Sequence, residues 1–350
     1  MERRTQGKHG TSLRAILVGI PLVVAVCYIV AHTEMVVQKM QIAISQFAPA
    51  AIGTFFFVVI INRLLALISR KGGPRLHLRP DELIVVYVMV CIGAFISSRG
   101  LAEVLLPGLV TPNYFANVAN RWVEKFFPHI KPWIVPFDPH GDRLQKVAVR
   151  FYEGLRSGEF VPWLDWLVVL LHWAVIIGAV YFAYICIAAI FRKQWVEHEK
   201  LTFPLTLVPL ELAREDTFSQ FFRSRIAWAG IAIPMIVHGM NFLHANFPVV
   251  PEIKTNIARI NDFFTSRPWN AIAFTPVWLS YGAVGISYFL PSDLLFSLWF
   301  FFWFVRLQDV IVAAFGMEIQ NMPLYPTHLY IGYQVMGAYF VLAFMLFRWA

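Results

Sequence analysis

Hydrophobic positions along this chain gather into blocks, and polar residues are confined to the gaps between them. The clearest blocks are 13–31, 48–68, 83–106, 164–191, 226–243, 292–314 and 329–347. A helix crosses the hydrocarbon layer of a bilayer in about 20 residues. A core helix of a soluble protein is apolar along one stripe only, whereas these blocks are apolar all round. The pattern predicts an all-α, polytopic transmembrane helical bundle in one domain spanning 1–350.

Two apolar segments are too short for a simple crossing. Residues 201–213 lie between basic clusters that belong on one side, which predicts a re-entrant segment or half-helix. Thr202 is placed to cap it, and Pro204 suits its first turn because a proline there gives up no helical bond. Residues 276–290 end at Pro291, which disfavours helical geometry at Leu290 and predicts a break before Ser292. Counting that segment as a crossing gives eight spans; treating it as re-entrant gives seven. Asp293 then falls in the first turn of the next helix, where the dipole favours an acid. A third interruption is Ser97, Ser98, Arg99 and Gly100, which split the block 83–106 with two hydroxyls, a charge and a glycine.

Outside the blocks, two stretches show short amphipathic patterns. In 111–162, Asp142 can cap a helix whose one face carries Leu144, Val147, Phe151 and Leu155, with Gly158 as its stop. In 250–265, Pro251 suits a first turn and Ile253, Ile257, Ile260 and Phe264 form the stripe. Both are expected to be short helices lying at the outer surface.

Composition agrees with a membrane protein: 58% of residues are hydrophobic and 14% charged. Trp122, Trp133, Trp163, Trp269, Trp278 and Trp349 sit near block ends, where amphipathic rings favour the headgroup zone. The formal charge of +8 is read as basic loops facing an anionic leaflet, and no nucleic-acid motif accompanies it. Arg3, Arg4, Lys8 and Arg14 precede or open the first block. Arg63, Arg70, Lys71, Arg75 and Arg79 lie at or after the end of the second, Arg192, Lys193 and Lys200 follow the fourth, and Arg214, Arg223 and Arg225 precede the fifth. The positive-inside rule puts these clusters and the N-terminus in the cytoplasm. The short loop after the first block carries only Lys39. Arg348 favours eight spans on the same rule. The first block is read as an uncleaved span, not a signal peptide. The stop at Ala350, directly after a span, suggests a truncated frame or one half of a longer protein. Cys27, Cys91 and Cys186 lie inside blocks and read as small buried hydrophobes, not as a disulfide framework or metal site.

Charged residues inside spans are costly and call for a functional hypothesis. Arg99 and Glu103 are four apart and share a face if the helix persists through Gly100; the pair can lock two helices together or line a solute path. Arg306 and Asp309, three apart, read similarly. His172 is expected to bond a neighbouring helix. His238, Asn241 and His244 approach the outer end of the fifth block, with a spacing that does not fit a zinc-binding helix. Glu197, His198 and Glu199 have metal-ligating side chains but sit in a basic loop. Gly285 and Ser287 faintly resemble an intramembrane serine-protease motif, but Tyr288 stands where a glycine is expected. His32, Thr33 and Glu34 are a poor version of the acidic motif of lipid-linked-sugar glycosyltransferases. No phosphate-binding loop is present, and no metal or cofactor is expected.

Arg192, Gln194, Trp195, Glu197, Glu199, Lys200, Leu201, Thr202, Phe203, Pro204 and Leu205 resemble the signature of a large bacterial group of multi-pass membrane proteins of unknown function. Glu82-Leu83-Ile84, Phe151–Gly154 with Val161-Pro162-Trp163, and Ile286–Phe289 with Phe296–Phe301 fit the same group. More distantly, Glu199–Pro204 resembles an element of the oligopeptide transporter superfamily, which moves peptides and metal chelates. Leu205 and Thr206 replace the serine and glycine of that element. Interrupted helices are also how secondary transporters build their sites. The expected function is therefore secondary transport of a small polar or peptide-like solute across the bacterial cytoplasmic membrane. Arg99, Glu103, Thr202, Pro204, Asn241 and Asp293 are the transport-path candidates. The partners expected are the lipid bilayer and the solute. The alternatives are an intramembrane enzyme for lipid-linked substrates and a non-catalytic subunit of an envelope complex.

Overall fold

The computed structural model describes residues 12–38, 41–43, 48–69, 77–198, 203–214, 220–272, 275–317 and 328–349. The chain forms two compact units, Met1–Phe221 and Phe222–Ala350.

The first unit opens with α1 (Leu13–Ala31), capped by the Ser12 hydroxyl, which accepts from the Arg14 amide at 3.2 Å. The helix widens into a π-helical segment, His32–Val37, and stops at Gln38 in the left-handed region (φ 55°). Next come α2 (Pro49–Ser69) and α3 (Pro80–Ile96). Proline opens α3, and the Glu82 carboxylate accepts from the Arg79 amide at 2.9 Å. α1 and α3 approach closely because small residues stand where they meet. A Cβ on Gly93 would lie 2.8 Å from Val23 Cγ1, and the Cys27 thiol donates to the Gly93 carbonyl at 3.4 Å. The core here is Val26 and Val30 of α1, Phe55 and Val59 of α2, and Leu83, Val86 and Val90 of α3. Buried Asn62 holds the chain entering α3: its amide donates to the Leu78 carbonyl and its oxygen accepts from the Leu78 amide, at 3.0 and 2.6 Å.

After a turn at 97–101, α4 runs Ala102–Tyr114. The stretch after it holds α5 (Trp122–Lys125) and α6 (Lys146–Glu153). Together with the long α7 (Trp163–Lys193) they close a second core around Leu109, Phe127, Phe137, Val147 and Trp166. A short helix forms within the stretch where the sequence predicts one, with shifted ends. Gln145, not Asp142, is its N-cap, and Gly154 at φ 87° ends it before Gly158. The cause is local: Asp142 lies in the preceding loop, and buried Asn113 fixes the start by accepting from the Gln145 amide at 2.9 Å. A two-point ion pair, Arg150 to Glu159 at 3.0 and 3.1 Å, follows the helix. That guanidinium holds the Glu159 carboxyl below its ordinary range. Within 201–213, Pro204–Ala213 form a short helix, α8, with Pro204 in its first turn. It packs on α2 and α3, and Arg63 donates to the Ala213 carbonyl at 3.1 Å.

The second unit contains α9 (Arg225–Asn246), a hairpin of β1 (Asn256–Arg259) and β2 (Pro276–Trp278), α10 (Tyr281–Tyr288), α11 (Ser292–Ala314) and α12 (Leu329–Trp349). The strands are antiparallel, with Ala258 opposite Val277 and an irregularity at Asn256–Ala258. The helix expected over 250–265 does not form. Residues 256–259 pair with 276–278 instead, and 260–263 make a 3-10 turn.

Five helices among the described residues are long and apolar enough to cross a bilayer: Leu13–Val37, Pro49–Ser69, Trp163–His198, Arg225–Asn246 and Ser292–Ala314. The expected seven or eight is therefore not reproduced. The third block is split into α3 and α4, each short of that length. The segment 276–290 divides into a strand and an eight-residue helix. In α12 the apolar stretch Leu329–Met345 is shorter than the five. Among the described residues, the most apolar windows of α7 and α9 are not buried within their own units. Leu164, Val175, Phe182, Ile190, Ile226 and Met235 all face outward. Only lipid or another apolar partner satisfies such faces, and this is the fold of an integral membrane protein.

Candidate functional site

The interruption at Ser97–Gly100 is present, and it decides the geometry around it. α3 ends at Ile96 because Gly100 turns back onto Phe95 so closely that a Cβ there would collide with the Phe95 carbonyl. The serines take up polar groups that the turn releases. Ser97 donates to the Ala94 carbonyl at 3.1 Å, and Ser98, fully buried, donates to the Phe95 carbonyl at 3.3 Å. The Ser98 carbonyl then accepts from the Leu101 and Glu103 amides, both at 3.2 Å, and so starts α4.

This turn puts Glu103 in the first turn of α4, a favourable place for an acid. Arg99 does not share a continuous helical face with it, yet the two still pair, Nε to Oε2 at 3.8 Å. Arg99 is more than half exposed, while the Glu103 side chain is 15% exposed. Sequence reasoning missed the third member. Glu34, in the π-helical end of α1 and 8% exposed, brings its carboxyl within hydrogen-bonding reach of Glu103. Its Oε1 accepts from the Ile42 and Ala43 amides at 2.6 and 2.8 Å. Its Oε2 and the Oε1 of Glu103 are buried without a donor. The signal available in the sequence was a glutamate at the end of an apolar run; the π-helical turn that carries it, a feature common at functional sites, is seen only in the structure.

A second polar cluster lies in the second unit. Asp309 of α11 is completely buried. It accepts from the Tyr330 hydroxyl and sits 3.6 Å from Arg306 Nη1 and 3.3 Å from His328 Nε2. The His328 and Tyr330 rings stack, and Arg306 also lies over the Phe302 ring, 5.3 Å from its centre. The Arg306–Asp309 pair expected from the sequence therefore exists, with two partners contributed by and just before α12. An apolar cavity of about 610 Å³, walled by Phe264, Trp269, Trp299, Trp303 and Phe304, reaches Arg306.

The remaining candidates are dispersed. Asn241 holds the loop after α9: its amide donates to the Ile253 carbonyl and its oxygen accepts from the Ile253 amide, both at 2.8 Å. Asp293 is in the first turn of α11, where its main-chain carbonyl accepts from Ser297. Pro204 opens α8, and Thr202 lies outside the described residues. His172 bonds the Val168 carbonyl of its own helix at 2.7 Å and packs on Trp133, so it does not link two helices. His238 meets the Tyr281 ring, and His244 bonds the Val250 carbonyl. Among the described residues, no group of three or more His, Cys, Asp and Glu is arranged to hold a metal ion.

Residues 5–350 match the model of a family of unknown function, DUF6785. The chain belongs to that family. The match covers both units, so the interrupted third block and the Asp309 cluster lie within the family's extent. No curated protein and no solved structure matches the chain. Membership in DUF6785 establishes kinship and carries no assigned activity.

Proposed function

We propose that this member of DUF6785 is a secondary transporter of a small polar or peptide-like solute, resident in a bacterial cytoplasmic membrane with its N-terminus inside. The observation that carries this reading is the helix break between α3 and α4, which sets Ser98, Arg99, Glu103 and Glu34 together within apolar helices. Irregular backbone and paired charges at membrane depth are stable where protein or a wet cavity satisfies them. Transporters place solute and ion sites at such interruptions. The short α8, packed on α2 and α3, supports the same reading, since a half-helix directs its first-turn amides toward an anionic group. So does the resemblance of Glu199–Pro204 to the oligopeptide transporter element. Pro204 opens that half-helix behind the N-cap Phe203, Thr202 remains a path candidate just before it, Asn241 would shape the outer loop, and Asp293 is the ion-site candidate of the second unit.

A second reading has one observation in its favour. The aromatic cavity beside Arg306, backed by Asp309, His328 and Tyr330, suits the apolar tail of a lipid-linked substrate with an acid–base group at its edge.

The test is uptake by proteoliposomes of a panel of peptides and metal chelates. Arg99→Ala is expected to lower uptake at least about tenfold, the scale of one lost charge-assisted bond, with the circular-dichroism spectrum unchanged. Unchanged uptake in that variant removes Arg99 from the path. No uptake of any solute, combined with turnover of a lipid-linked substrate, favours the enzyme.

A further inference from the structure

Two carboxyl groups cannot hydrogen-bond to each other unless one of them carries a hydrogen, because an ionised carboxylate only accepts. Glu34 and Glu103 lie within that reach of each other. One oxygen on each, Oε2 of Glu34 and Oε1 of Glu103, is buried and has no donor from any other group. The other two oxygens are engaged: Glu34 Oε1 accepts two amide hydrogens, and Glu103 Oε2 faces Arg99. Leaving two buried acceptors unsatisfied is costly, and a single hydrogen between them satisfies both.

We propose that Glu34 and Glu103 are a two-carboxyl proton site that holds one proton between the end of α1 and the start of α4. In the occupied state a Glu103 hydroxyl donates to Glu34 Oε2. On release the O–H bond of Glu103 breaks, the proton passes to water, and two carboxylates are left facing each other with Arg99 as the facing cation. Their repulsion then loosens the contact between the α1 end and the helix break. The other titratable groups on the packed elements are engaged elsewhere. Tyr87 bonds Cys91, Cys27 bonds the Gly93 carbonyl, and His32 stacks on Tyr28. Asp81 and Glu82 pair with Arg79 at the opposite end of α3. If the transport reading holds, this site makes solute movement past the break depend on the proton gradient, and that extension rests on the reading.

The full chain, in nanodiscs of phosphatidylethanolamine and phosphatidylglycerol, is titrated while infrared difference spectra are recorded. Wild type is expected to show one protonated-carboxyl C=O band that disappears on alkalinisation, together with a fall in thermal midpoint. Glu103→Gln supplies an N–H in place of the O–H. It should lose the band and keep the acid-state midpoint at alkaline pH. Glu34→Gln should lose the band as well. A wild type without the band, or a band that persists in both glutamine variants, overturns the site. In proteoliposomes, wild-type uptake should rise with an inward proton gradient, and both variants should lose that stimulation. A wild type that keeps the band but moves no solute rejects transport and leaves the proton site standing. A wild type that keeps the band and moves solute regardless of the gradient rejects the coupling alone.

Discussion

Replacing Asp309 with alanine should destabilise the protein by about 3–5 kcal/mol, the cost of breaking a buried charge cluster by deleting one partner. The side chain has no exposed surface, and three groups converge on it: the Tyr330 hydroxyl, His328 Nε2 and Arg306 Nη1. Its removal strands the Arg306 guanidinium, which is itself largely buried, and leaves the Tyr330 hydroxyl without its acceptor. It also unties α11 from the start of α12. Tyr330→Phe removes one donor and leaves the ion pair, so about 1–2 kcal/mol is expected. Thermal unfolding in mild detergent ranks the two. A shift for Asp309→Ala within about 0.5 kcal/mol, the range of ordinary surface changes, would contradict the account of this cluster.

Gly93→Leu should come second, at about 1–3 kcal/mol or more, because it overpacks a close contact between α1 and α3. Even a Cβ at position 93 would lie 2.8 Å from Val23 Cγ1 and 3.5 Å from the Cys27 sulfur. Val23 is β-branched and stiff on its helix, so it has little freedom to move aside. The leucine would also push α1 away from the carbonyl to which Cys27 donates. Val23→Ala opens space on the facing helix and should recover a large part of the loss in the double variant. If the two substitutions simply add, the clash is not the cause. The same strain would reach the proposed site, since α1 carries Glu34 at its end and α3 leads into the break.

Elements with their own local signal were legible in the sequence. The break after Ile96 is written as two serines, a charge and a glycine inside an apolar run. α8 is marked by Pro204 and by its length between basic clusters. Charges inside apolar runs picked out Arg99, Glu103, Arg306 and Asp309, and both pairs meet in the structure. What stayed hidden depends on partners distant in the chain. Glu34 joins Glu103 only because α1 packs along α3 and continues to the break. His328 and Tyr330 join Asp309 only because α12 folds against α11. The stretch 250–265 misled for a related reason. Ile253, Ile257, Ile260 and Phe264 satisfy a helical period, but β-branched residues fit strands equally well, and pairing with 276–278 decided the matter. The expected seven or eight spans are not matched by the five helices of spanning length among the described residues, because an apolar block need not be one helix. The block 83–106 holds a turn, and 276–290 holds a strand.

On the transport reading, the break between α3 and α4 borders a path that water and solute enter. Ser98 is the residue to probe, because it is fully buried in this arrangement and becomes reachable only if the break opens. In a chain with Cys27, Cys91 and Cys186 replaced by serine, Ser98→Cys should react with a membrane-impermeant, charged thiol reagent in proteoliposomes. Transported solute should slow that reaction. Val88→Cys, on an outward-facing position of α3, should not react, because charged reagents do not partition into lipid. If the cysteine at position 98 is as inert as the one at 88 under every solute and proton gradient, the break is a packed structural turn and the transport account fails.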